Sequence, residues 1–385
     1  MSLTRAGYSV SVICPRGNGR DEAAYDLREG VAIHRYALSA AEGGKVGYGR
    51  EYATAFWQTW RMMRTLSRSA PFDVIHACNP PDLLLLTAIS QRRAGAAFVF
   101  DQHDLVPELF LSRFNPRRGV GYACARVAER VAFALADVVL STNESYRQVA
   151  LSRGHVDPSN VFVVRSAPDL SRFRPVPADP SLKRGKRHLL AYLGVMGPQD
   201  GVDHALYALA HLATRRDDWR AIFVGAGDVF GEMQLLSAKL GLAESVEFTG
   251  RIPDDELIRI LCSADVGIAP DPKSPLNDVS TMNKIVEYMA AGLPVVSYDL
   301  AEARVSAGGA AVYCTPDEPA AMAGAIDELL ASPGRRSAMA DEGARRVAAE
   351  FSWERSESSL LAAYERALER RGAVRRSLPA QAARG

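Results

Sequence analysis

Short apolar runs alternate with longer amphipathic stretches along this chain, and the series occurs twice. In the first half Tyr8–Cys14, Ala32–Tyr36, Asp73–Ala77, Ala97–Asp101, Val138–Ser141 and Val161–Arg165 are rich in β-branched and aromatic residues and have strand length. Apolar spacings of three and four predict helices between them near 49–68, 81–94, 119–136 and 144–153. The second half predicts strands over Leu189–Leu193, Ala221–Val224, Ser245–Thr249, Val266–Ala269, Pro294–Tyr298 and Ala311–Cys314. Its helices are expected near 203–214, 229–240, 254–263, 281–291, 318–331 and 335–350. Strands alternating with helices imply parallel sheets covered on both faces, here an α/β chain of two doubly wound domains.

The expected domains are 1–175 and 176–352, joined by the Pro-rich Phe173–Pro180. A closing helix over 353–371 is expected to pack back on the first domain, ahead of a disordered tail, 372–385. Met1–Gly7 reads as a helix end, with Gly7 as its cap, running straight into a strand. A doubly wound domain normally opens on a central strand, so the first domain is expected to be truncated at its start, its first strand missing.

Composition narrows the class. At 48% apolar and 24% charged residues the chain is of ordinary globular type. No apolar run reaches about 18 residues, the length a membrane-spanning helix needs. Cys14, Cys78, Cys124, Cys262 and Cys314 form no CxxC pair, which fits reduced thiols in a cytoplasmic protein and neither a disulfide framework nor a metal site. Residues 1–175 carry 22 Lys/Arg against 16 Asp/Glu, whereas residues 176–385 carry 24 against 29. The basic half suits an anionic partner such as a membrane surface. Residues 56–64 (Trp57, Trp60, Met63 with Arg61, Arg64) and 110–118 (Phe110, Leu111, Phe114 with Arg113, Arg117, Arg118) mix apolar groups with arginines in the same sense, although core packing accounts for the apolar ones equally well. Nothing points to nucleic acid.

The most informative segment is Ser280–Tyr298, read as a loop, a helix and a buried strand. Ser280 or Thr281 can cap the helix, Met282–Ala291 form it, and Gly292 ends it in left-handed geometry. Lys284 and Glu287 share one face near its N-terminus. Free N–H groups and Lys284 suit a diphosphate, and Glu287 suits ribose hydroxyls, with a surface ion pair as the plainer reading. Gly194 and Gly197 after one predicted strand, Gly225 and Gly227 after the next, and Gly250-Arg251-Ile252 after a third bring backbone to the same strand ends. Tight turns explain those glycines about equally well. On the first-domain side, Asn79, His103, Asp104, Asn143 and Glu144 follow strand ends. His103 could hold a sugar hydroxyl or move a proton.

The ordered series HACNPPD, FDQHDLVPE, STNESYR, LGVMGPQDGVD, VGAGD, VEFTGRIPDDEL, ADVGIAP, NKIVEYMAAGLPVVSYD and the closing FSW helix resembles the family 4 retaining glycosyltransferases, closest to members from bacterial exopolysaccharide and surface-glycan clusters. That resemblance implies the GT-B fold, two facing Rossmann-like domains. It implies transfer of a sugar from a UDP- or GDP-sugar, with retention and without metal or other cofactor. The implied acceptor is a glycan or a polyprenyl-linked sugar, handled in the cytoplasm or on the inner face of the membrane. It places Glu287 on the donor ribose, Lys284 on the phosphates, His103 near the transferred sugar, and Gly194 and Gly197 facing the diphosphate. Arg251, Ile252, Thr281, Met282 and Asn283 fall to the donor site. Val279 stands where the first glutamate of E-x7-E is expected, with Asn277 or Asp278 as substitutes, and the family's donor-loop Arg and Lys are replaced near Val195 or Met196 and at Asp200. Lys273 or Arg251 would have to help Lys284. Two other readings share the pattern: a non-catalytic nucleotide-sugar-binding chain, which Val279 favours, and a nucleotide-sugar 2-epimerase, whose additional acidic and histidine groups are not identifiable.

Overall fold

The computed structural model describes residues 1–17, 21–38, 44–80, 82–113, 118–166, 173 and 175–372 of the 385-residue chain. Parts of the expected linker and of segment 110–118, and the expected tail from 373 onward, lie outside the described residues. The chain divides into two compact units, Met1–Val164 with Glu357–Gly385, and Arg165–Ser356.

The first unit opens with α1 (Ser2–Arg5), β1 (Val10–Pro15), β2 (Tyr25–Arg28), β3 (Val31–Tyr36) and α2 (Gly44–Ser69). Then come β4 (Val74–Cys78), a 3-10 helix (Asp82–Ala88), α3 (Ile89–Arg93), β5 (Ala97–Gln102), α4 (Val106–Arg113), α5 (Val120–Leu135), β6 (Val138–Ser141), α6 (Glu144–Ser152) and β7 (Val161–Val163). Its strands form two sheets, ordered β1-β3-β2 and β4-β5-β6-β7. The second is parallel throughout, and β5 and β6 are almost wholly buried, as their continuous apolar runs require. Phe98, Phe100, Val139 and Phe133 of α5 fill the core, with Phe133 edge-on to Phe100.

Three elements of the first unit depart from the sequence reading. β2 pairs antiparallel with β3, and its Tyr25 and Leu27 are exposed, so it lacks the buried face that reveals a strand. The helix expected over 81–94 is a 3-10 helix followed by one short α-helix. α4 runs through Pro107, which fits the first turn of a helix but reads as a break.

The second unit continues with β8 (His188–Leu193), α7 (Val202–Ala213), β9 (Trp219–Val224), α8 (Phe230–Lys239), β10 (Val246–Gly250), α9 (Asp254–Ser263) and β11 (Val266–Ala269). α10 (Asn283–Ala290), β12 (Val295–Tyr298), α11 (Ala301–Ala307), β13 (Ala311–Cys314), α12 (Pro319–Leu330), α13 (Pro333–Glu350) and α14 (Trp353–Arg370) complete the chain, α14 running on into the first unit. The six strands are all parallel, ordered β10-β9-β8-β11-β12-β13. The chain winds outward from β8, then returns to its other side with β11. That reversal opens a crevice beyond the carboxyl ends of β8 and β11, the position where doubly wound sheets bind ligands.

Candidate active site

Glycines let three loops close tightly over this crevice. Gly225 N donates to Gly250 O at 2.9 Å, Gly194 N to Val224 O at 3.1 Å and Met196 N to Ala226 O at 3.2 Å. Gly225 has φ +132°, and a Cβ there would stand 1.9 Å from Gly194 O. Gly227 is also confined: a Cβ there would lie 2.5 Å from Met196 O. Gly197 N donates to Asp200 Oδ2 at 2.8 Å, so the aspartate in place of a donor-loop cation braces the loop.

Below the loops, α10 begins at Asn283, and its N-cap residue makes no side-chain cap bond. The N-cap position falls on Met282 rather than on Ser280 or Thr281, and Ser280 Oγ donates to Leu276 O. Thr281 and Met282 precede the helix and Asn283 is its exposed first residue. At the other end Gly292 takes φ +70°, as its left-handed role requires. Lys284 is buried, with Nζ 2.6 Å from Asp271 Oδ1 and 5.1 Å from the centre of the Tyr192 ring. Its stem passes Gly194, where a Cβ would come within 3.2 Å of Cε. Burial works against the lysine's charge, but Asp271 and Asp200 outweigh it and hold its pKa above the ordinary value. Asp271 Oδ2 is buried and without a hydrogen-bond partner among the described residues. Tyr288 OH accepts from Leu193 N at 2.8 Å and donates to Ile268 O at 3.1 Å, fixing α10 to the ends of β8 and β11.

The Glu287 backbone O accepts from Ala291 N at 3.0 Å, but its carboxyl makes no hydrogen bond among the described residues. Burial pushes its carboxyl up to about 7 against the pull of Lys284. Asn277 is committed elsewhere: its amide donates to Gln199 O and Pro272 O, each at 2.9 Å, clamping the β8 and β11 loops together. Asp278 accepts from Ala301 N and lies 3.5 Å from Lys273 Nζ. Arg251 is exposed and pairs with no acid among the described residues, beside the half-buried Ile252.

The first unit gathers its own polar cluster at the ends of β4 and β5. Asp101 Oδ2 meets His76 Nε2 at 3.0 Å, His103 Nε2 at 3.1 Å and Cys78 Sγ at 3.5 Å. His76 Nδ1 lies 2.8 Å from Tyr364 OH of α14. The bonds to Asp101 and Cys78 outweigh burial and raise His103 to about 10, so it is an imidazolium at neutral pH. His76, Cys78 and Asp101 also offer ligand atoms within 4.8 Å of one another, a set that could hold a borderline-soft cation.

Asn79 and Asn143, predicted on the acceptor side, support their loops. Asn79 Oδ1 accepts from His103 N and Asp104 N, and its amide donates to Asp82 and Asp104 O. Asn143 caps α6 through Tyr146 N, and Glu144 pairs with Arg147 on an exposed turn. Trp57 is exposed and stacked on Trp60 with Arg64 above, whereas Met63 is core. Phe110 packs over Gly121, where a Cβ would lie 2.3 Å from its ring, so that part of 110–118 is structural. Asp271 and His76 were not singled out, because their partners Lys284 and Asp101 stand 13 and 25 residues away; Asp101 was passed over although His103 is only two residues on.

Residues 2–167 match the family model described as glycosyl transferase 4-like domain, and residues 187–332 match that of glycosyl transferases group 1. The chain is a glycosyltransferase of the GT-B type. Among its relatives, the MMP alpha-(1->4)-mannosyltransferase of Mycolicibacterium hassiacum is 28% identical over 318 residues, covering 80% of this chain and 74% of that protein. A D-inositol 3-phosphate glycosyltransferase of Geodermatophilus obscurus is 30% identical over 270 residues, covering 66% of this chain and 58% of its own length. Sucrose-phosphate synthase of Thermosynechococcus elongatus shares the fold with a TM-score of 0.77 at 19% identity, over 94% of this chain and 90% of that one. HepE of Anabaena, solved with UDP and glucose, does so with a TM-score of 0.69 at 17% identity, over 93% and 100%. No helix among the glycosyltransferase's described residues is long and apolar enough to cross a membrane.

Proposed function

We propose that the chain moves a hexosyl group from a UDP- or GDP-sugar, with retention at the anomeric carbon, onto a polyprenyl-linked or growing glycan in exopolysaccharide or surface-glycan synthesis. The observation that carries the donor assignment is Glu287. Its carboxyl is half-buried and unbonded among the described residues, one turn along α10 from Lys284, at the crevice between β8 and β11. A carboxylate so placed accepts from paired ribose hydroxyls, while the N-terminal N–H groups of α10 suit the diphosphate.

In the proposed reaction the bond from the anomeric carbon to the diphosphate oxygen breaks, and the acceptor oxygen bonds to that carbon on the same face. The acceptor proton passes to the departing diphosphate. Helix N–H groups and Lys284 stabilise the charge that develops on it, without calling on a metal ion. The His103 imidazolium serves as a donor to a hydroxyl of the sugar rather than as a base. The relatives' printed names, a mannosyltransferase and D-inositol 3-phosphate glycosyltransferases among them, support sugar transfer to a hydroxyl acceptor.

The test is to incubate the chain with UDP- and GDP-hexoses and a membrane lipid extract, then assign product configuration by NMR. Label entering lipid with the donor's configuration is expected. Inverted product, or free epimerised sugar nucleotide, contradicts the reading.

A further inference from the structure

The helix α5 is apolar on two opposite faces. One, carrying Ala132 and Phe133, is buried. The other consists of Val120, Cys124, Val127 and Val131, spaced i, i+4, i+7 and i+11, hence one straight stripe. All four are exposed, Val120 by 82% and Val127 by 64%. A helix apolar on both faces is normally covered on both, and nothing among the described residues covers this one.

The flank of the stripe is cationic. Arg118 lies over the Tyr122 ring at 5.7 Å, Arg126 Nη1 donates to Tyr122 OH at 3.3 Å, and Arg130 is exposed. Arg126, Val127, Arg130 and Arg153 line an open pocket of about 170 Å³ with Glu129 at its base. Glu129 is the sole acid between 118 and 136, and its side chain, 4% exposed, turns inward to Arg153. Glu129 also lies 3.6 Å from Arg126 Nε, so the positive charge left on this side of the helix is that of Arg118 and Arg130. A two-fold contact between copies of the chain would set these arginines near one another, which disfavours self-association. Apolar stripe, tyrosine and arginines together match an anionic lipid surface.

We propose that α5 is an interfacial helix that seats the first unit on an anionic phospholipid bilayer, with Val120, Cys124, Val127 and Val131 at the acyl boundary and Arg118 and Arg130 on lipid phosphates. This deepens the reading of a lipid-linked acceptor and rests on that reading for its purpose, while its test requires no turnover.

The full chain is sedimented with phosphatidylcholine vesicles, with and without phosphatidylglycerol, at low and high salt. Beside it run Arg118→Gln/Arg130→Gln and Val127→Asp, their folding checked by circular dichroism and their self-association by sedimentation velocity. Binding confined to the anionic vesicles and weakened by salt is expected. Each arginine lost should cost about fivefold, roughly 25-fold for the pair, and Val127→Asp should abolish binding. Equal binding to both vesicle types, binding to neither, or variants that bind like the wild type overturn the proposal. So does a wild-type dimer that Val127→Asp dissociates, which would make the stripe a self-interface. Donor affinity measured on the same samples should be unchanged; a wild type that binds vesicles but no sugar nucleotide refutes the transferase reading and leaves this one standing.

Discussion

Asp271 Oδ1 lies 2.6 Å from Lys284 Nζ, and both side chains are buried beneath the glycine loops of the second unit. The pair joins the loop after β11 to the first turn of α10, so the cation expected to meet a diphosphate is already held in place by a carboxylate.

Removing one partner strands the other as an uncompensated buried charge. Lys284→Met and Asp271→Asn should each lower unfolding free energy by about 3–5 kcal/mol, while Lys284→Met/Asp271→Leu recovers much of the loss. Denaturant titration reads this directly. Small single effects that merely add would show the pair to be energetically idle.

Glu287 sets a pH dependence with two opposite signs. Its folded pKa, about 7, exceeds the ordinary value of 4.5, so the folded state holds the extra proton between those values. Its contribution to stability is present below about 4.5 and is lost as pH rises through 7, an effect on the order of 2 kcal/mol that Glu287→Gln should remove. Donor binding needs the ionised form and should strengthen severalfold from about pH 6 to 8. Thermal melts and donor titrations across that window check both slopes; a flat donor affinity in the wild type would take Glu287 off the ribose.

Asp101 holds His103 charged. The raised His103 pKa, about 10, means that its contribution to stability is complete below the ordinary value near 6.5 and fades as pH rises through 10. In Asp101→Asn the imidazole should titrate near its ordinary value, and transfer should fall as pH rises through that point, with little change in donor KM. Histidine NMR titration and a pH profile of kcat would show it. An unshifted His103 titration in the variant contradicts the relay.

Gly225→Ala places a methyl 1.9 Å from Gly194 O at a positive φ. The loops over α10 must part, at a cost of a few kcal/mol, or several degrees in Tm. Donor affinity should fall with it. An unchanged melting temperature would mean that the loops yield easily.

The parallel sheets were legible because buried strands are written as continuous apolar runs, such as Phe98–Phe100 and Leu189–Leu193. Elements without a buried face were not: β2 exposes Tyr25 and Leu27, and α11, only seven residues long, escaped the periodicity. The glycine corners and the spacing of Lys284 and Glu287 one turn apart on α10 were visible because local sequence encodes them. Asp271 was not, since it lies 13 residues from its partner in a loop. Polar residues at strand ends were over-read for a related reason. Sequence placed Asn79, Asn143 and Asn277 at the rims, but only coordinates show their amides turned onto backbone. Likewise the helix around 119–136 was evident, whereas its second apolar face became visible only once Phe133 was seen to occupy the first.

The most direct test of the donor site is calorimetric titration of the chain with UDP, GDP and their hexose conjugates, beside Glu287→Gln. The account predicts that one nucleotide series binds and that the variant, still folded, loses roughly tenfold or more in affinity, as expected when a charged acceptor of ligand hydroxyls is removed. Equal affinity in wild type and variant, or no binding by a cooperatively folded wild type, would contradict it.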